Sequence, residues 1–161
     1  MKFFIKFEKW LSGLGAFLSS LFIIVLVLLI LTEIFSRTLL NKSTMIADEY
    51  SGYFYLASVF LGLGYTFSQK GHIRINILTT RLSKTKQNYF DIFAGTITFA
   101  VVSFIFYRVI LMCLDAYNFD ILYEGVSETP IYLTQIPMIV GSFIFAISVL
   151  AFTLKRFSND S

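Results

Sequence analysis

His72 is the single histidine of a 161-residue chain, and it lies in Ser68-Gln-Lys-Gly-His-Ile-Arg-Ile-Asn-Ile77 between two long apolar runs. An imidazole so placed can ligate a metal or haem, handle protons, or sit at a membrane surface beside its basic neighbours. A haem held between two imidazoles needs a second histidine, which this sequence lacks. Proton relays in membranes are built from ionisable residues within a span, and His72 lies between spans. The reading that remains is a surface connection. Gly71 turns the chain, and His72 and Arg74, with Asn76 just beyond, lie among lipid phosphates or against a partner.

The other ionisable residues near apolar runs are Glu33, Arg37, Glu49, Asp91 and Arg108. Glu33 and Arg37 stand four apart, in the order that favours a helical ion pair. Placing charge at depth in lipid is expensive. A network pairing Arg108 with Glu33 or Glu49 is therefore one expectation, and separate snorkelling of each residue to water is the other. Cys113 is a lone cysteine in an apolar run and belongs to no metal-binding pair. Catalytic triads, phosphate loops and metal-ligand spacings are missing from the sequence. The chain is read as a non-enzyme with no cofactor and no nucleic-acid partner.

These residues are positioned by long apolar blocks. Hydrophobic residues make up 57% of the chain and charged residues 14%, against about 45–50% and about 25% in soluble domains. A helix needs about 20 apolar residues to cross the hydrocarbon core, and open strands cannot cross it. Four stretches qualify: 11–32, 50–67, 89–114 and 131–154. The expected fold is an all-α integral membrane domain of four transmembrane helices over 1–161, with no repeat and no second domain. The first apolar run exceeds the roughly 7–15 residues of a signal-peptide core and is expected to remain in the mature protein.

Lys and Arg set the direction. The N-terminal segment, the middle loop and the C-terminus together carry ten of them, and the other two loops carry two. Both termini and the His72 loop are therefore expected in the cytoplasm. In residues 2–10, Lys2, Lys6 and Lys9 share one helical face and Phe3, Phe7 and Trp10 another. That pattern suits an amphipathic interfacial helix whose lysines favour anionic phospholipids. At the start of the fourth span, Thr129 suits a cap and Pro130 the first helical position. Pro137 removes one backbone hydrogen bond, so a bend is expected there. The third loop is wholly acidic, with Asp115, Asp120, Glu124 and Glu128 and no Lys or Arg. Acids are permitted outside the cell, and they also suit a periplasmic partner.

Three ordered segments resemble the small membrane subunit of tripartite ATP-independent periplasmic (TRAP) transporters: "LTEIFSRTLLNKS", "ADEYSGYFYLASVFLGLGYTFSQKGHIRINIL" and "SETPIYLTQIPMIVGSFIFAI". Glu49, Gly62, Gly64, Gly71, His72, Arg74, Ser127, Pro137 and Gly141 occupy the matching places. Asn76 stands where family members often have Asp, and the family's frequent Trp before Glu49 is replaced by "MIAD". The resemblance implies a scaffold that braces a large, multi-helix transport subunit. That partner carries the sodium and substrate sites, and a periplasmic binding protein delivers an organic acid such as a carboxylate or sialic acid. It also implies location in the bacterial inner membrane. Gly62 and Gly64 would let helices approach closely. Two rivals are a four-helix multidrug exporter, which needs a mid-helix acid that Glu33 at a helix end does not supply, and an anchor subunit of a respiratory oxidoreductase.

Overall fold

The computed structural model describes residues 2–69, 84–125 and 127–158. Four helices account for most of them: α1 (Lys2–Leu40), α2 (Ile46–Ser68), α3 (Lys84–Asn118) and α4 (Ile131–Ser158). Strands are absent among the described residues, and Leu122 and Pro130 form one isolated antiparallel bridge. Gly71, His72, Arg74 and Asn76 lie outside the described residues.

The helices overrun the apolar runs. At 1.5 Å per residue, the 39 residues of α1 span about 58 Å, against a hydrocarbon core of about 30 Å. Residues 2–10 are the first turns of this same helix. Apolarity marks only the part suited to lipid. The helix ends where the backbone says so, at Asn41 in the left-handed region (φ 50). Asparagine tolerates that conformation better than most residues. α3 ends in a Schellman motif: Asp120 (φ 46) donates to Tyr117 O at 3.3 Å and Ile121 to Ala116 O at 3.0 Å.

By length and composition, three helices are apolar enough to cross a membrane: Phe3–Leu40, Lys86–Asn118 and Ile131–Phe157. α2 is not among them. Its Tyr, Gly and Ser residues lower its hydropathy, and its packing explains why that is tolerable. α2 lies against α1 on one side and α4 on the other, so little of it need face lipid. α4 is the hub, packing extensively on α2 and α3 and touching α1 over a smaller area.

Small residues make the central contacts. Gly141 of α4 lies so close to α2 that an added Cβ would stand 2.4 Å from Phe60 C and 2.8 Å from Leu61 N. Gly15 of α1 abuts Leu61 O on the other side, and Gly64 meets Ile144. Leu61 and Ile144 are buried at this crossing. Lipid is as apolar as leucine, so helices gain from close backbone approach rather than from hiding apolar surface. Gly62 has a looser neighbour, Ser19, whose hydroxyl donates to Ser58 O at 2.7 Å.

One stripe of α1 turns inward: Glu8, Ser12, Gly15, Ser19, Phe22, Leu26, Leu29, Glu33 and Ser36, spaced alternately four and three residues apart. The rest of α1 is largely exposed and apolar, including Phe17 (67%) and Leu28 (57%). α4 runs unbroken through Pro137.

Candidate functional site

Polar side chains gather at the two ends of the bundle. One end holds the connections 41–45 and 119–130, and the other holds the chain termini. Between Lys9 and Glu33, Glu49 and Lys70, Asp91 and Arg108, and Glu128 and Lys155 the sequence has no Asp, Glu, Lys, Arg or His. The bundle's middle is apolar or small.

At the connection end, Glu33 accepts from Arg37 Nε at 2.5 Å, from Ser43 Oγ at 2.6 Å, from Thr44 N at 3.0 Å and from the Thr44 hydroxyl. Glu33 is buried, and its neighbours present only donors, which suits an ionised carboxylate. The effect is to tie the α1–α2 connection back on to α1. Arg37 also reaches Asp48 at 3.4 Å. That contact is exposed and contributes little.

Glu49, in the first turn of α2, belongs to a second cluster. Ser127 donates to Glu49 Oε1, and its hydroxyl lies 2.5 Å from Thr129 Oγ1, which in turn meets Tyr50 OH at 2.9 Å. Thr129 is therefore turned sideways to α2 rather than capping α4. Pro130 stands just before the helix, and the backbone there pairs with the preceding turn: Tyr123 N donates to Thr129 O and Ile131 N to Ile121 O. Tyr123 packs edge-on against Tyr53, with centroids 5.8 Å apart. Glu49 Oε2, Tyr53 OH and Gln135 Oε1 are buried with no hydrogen-bond partner among the described residues.

The residues expected to form one network are thus divided. Glu33 and Arg37 pair with each other, and Glu49 joins Ser127. Arg108 is exposed on α3, which packs on α4 rather than along α1 or α2. Asp115, Asp120, Glu124 and Glu128 are all exposed, so the acidic character of this end is presented outward. Ser127 serves the Glu49 cluster, and Gly141 serves close helix packing.

At the terminal end the structure adds residues that the sequence did not single out as a site. Glu8 and Ser148 are both buried, and Ser148 Oγ donates to Glu8 Oε1 at 2.9 Å, joining α1 to α4. Asp91 pairs with Arg156 at 2.7 Å, and Asn88 donates to Arg156 O at 3.2 Å, joining α3 to α4. The Arg156 guanidinium lies over the Phe152 ring at 5.5 Å. The inward stripe of α1 begins at Glu8, which was the available signal. A lone Glu amid lysines reads equally well as a solvated charge.

No group of three or more His, Cys, Asp or Glu suited to a metal ion occurs among the described residues. Glu33 is engaged by four donors at a connection, away from the mid-helix position that proton-coupled export requires. Neither a curated protein nor a solved structure matches the chain. Residues 26–159, well over half of it, match a protein family described as "Tripartite ATP-independent periplasmic transporters, DctQ component". That family supplies the small subunit that works with a large DctM subunit and a substrate-binding protein. With helices suited to a membrane, polar groups held at the ends and this match, the chain belongs to the DctQ family of small TRAP transporter subunits.

Proposed function

We propose that the chain is the static scaffold of a sodium-coupled, binding-protein-dependent uptake transporter for organic acids. It braces the large subunit in the bacterial inner membrane, with both termini in the cytoplasm. The observation that carries this reading is the apolar middle of the bundle. A carrier that moves an organic anion itself would place charged or polar ligands near midplane. Here the buried acids Glu8, Glu33, Glu49 and Asp91 close connections or tie helix ends, and the large apolar surfaces of α1 and α3 are turned outward. Exposed Phe93, Phe104 and Tyr107 on α3, with Phe17 on α1, offer surface for lipid and for the large subunit. The acidic 115–128 segment faces the periplasm in this orientation and suits a basic patch on the binding protein. Lys6 and Lys9 are exposed at the other end, where they suit anionic phospholipid.

The test is purification of the tagged chain from its native membranes in mild detergent. Scaffolding predicts a stoichiometric, much larger polytopic partner. It also predicts that deleting the chain abolishes sodium-driven uptake of the organic acid. A chain that purifies alone and monodisperse, with uptake intact in the deletion strain, overturns the reading.

A further inference from the structure

We propose that Glu49 and Tyr53, under the 123–125 turn, form a binding site for a monovalent inorganic cation. Glu49 and Tyr53 lie one turn apart on the same side of α2. Each has an oxygen buried without a hydrogen-bond partner among the described residues, Glu49 Oε2 and Tyr53 OH. Glu49 as a whole is only 6% exposed, and its other oxygen is taken by Ser127. The turn closes over this point. A Cβ added at Gly125 would stand 2.8 Å from Glu49 Oε2 and 2.5 Å from the Tyr123 ring, which itself packs on Tyr53. A side chain from a partner protein would have to open that cover, whereas an ion or a water would not.

Charge favours an ion over a water. Buried carboxylates are paired with a cationic group or a metal ion as a rule, and no ion pair to Glu49 is found among the described residues. Arg37, on α1, is already held by Glu33 and Asp48. The 115–129 segment around the site brings four more acids and no Lys or Arg, so the field there concentrates cations. The N-terminal dipole of α2 offsets part of the Glu49 charge but gives Oε2 no donor. A single carboxylate with neutral hydroxyls matches a charge of one. Divalent ions take more carboxylates or a larger oxygen cage.

The experiment is thermal unfolding of the purified full chain in detergent, followed by circular dichroism. It compares sodium, potassium and lithium chloride with choline chloride at constant ionic strength, and adds calcium separately. At tenfold excess over its dissociation constant, a bound cation raises the midpoint by about 3–6 °C. The rise saturates, is absent in Glu49→Gln and needs a higher concentration in Tyr53→Phe. Equal midpoints in choline and every alkali salt overturn the proposal and assign the site to water. A rise that survives unchanged in Glu49→Gln, or one given by calcium alone, overturns it as well. Should Glu49→Gln fail to fold, the wild-type salt series and Tyr53→Phe still decide. The outcome does not depend on the large subunit, so it is separable from the scaffold reading.

Discussion

The two sides of α4 are built differently. Toward α2 the tightest contact is backbone against backbone, with Gly141 set on Phe60 and Leu61, and side chains flank it: Gly64 meets the Ile144 side chain, and Phe67 packs edge-on against Phe145 and Phe152. Toward α3 the contacts are made by side chains. Gly95 meets the Thr153 hydroxyl, Tyr117 packs edge-on against Tyr132 with centroids 5.3 Å apart, and Asp91 and Asn88 hold Arg156. A contact between backbones has no rotamer to adjust, so it is intolerant of added volume. A contact between side chains can give way locally. The backbone contacts that join α1, α2 and α4, Gly15 on Leu61 and Gly141 on Phe60, should therefore yield least to added volume, and the side-chain contacts of α3 should yield more.

Four substitutions would break or sharpen that contrast. Gly141→Ala carries the largest expected effect, because its Cβ would meet the backbone of α2 and the two helices must separate. We expect a loss of about 3 kcal/mol or more, read as a collapse in monodisperse yield and in unfolding midpoint. Asp91→Ala should cost about 1–3 kcal/mol, since Arg156 is left half-buried without its acid. Hydrogen exchange should rise over the start of α3 while α2 stays protected. Uniform exchange across all helices would refute a separately held α3.

Gly95→Ala comes next. Its Cβ would lie 2.5 Å from Thr153 Oγ1, a side-chain atom, so the loss is expected at about 1–2 kcal/mol. Pairing it with Thr153→Ala should recover most of that loss in a double-mutant cycle. Lack of recovery would mean that the α3–α4 contact is as rigid as the α2–α4 one. Gly62→Ala is the smallest, because its Cβ would stand 3.1 Å from the Ser19 hydroxyl. A change within about 0.5 kcal/mol is expected. A larger loss would mean that the Ser19 side chain yields no more than the Gly15–Leu61 backbone contact beside it.

The sequence made some of this legible. Lys84 to Asn118 and Ile131 to Ser158 contain the expected third and fourth spans, and the family showed in ordered motifs around Glu49 and Gly141. Glu33 and Arg37 were readable as a pair because four-residue spacing is a local property of a helix. The division of the expected network was not readable. Arg108 and Glu33 fall at the same end and at similar depth by counting along their helices, and counting does not say that α3 and α1 flank different sides of the bundle. Ser127 was visible as part of a motif, but its bond to Glu49 joins residues 78 positions apart.

What the sequence by itself determined is that the chain is helical, suited to a membrane and sparing of ionisable residues within its apolar runs. Run length, charge placement and backbone hydrogen bonding in lipid are local matters. Only the tertiary structure decided which face of each helix is inside, that α4 is the hub, and that Glu8 and Ser148 meet. The physical reason is the solvent. In water a hydrophobic stripe announces the core. In lipid, apolar residues serve equally well inside and outside, so the choice of face falls to glycine contacts and hydroxyl bonds that form only once the helices are assembled.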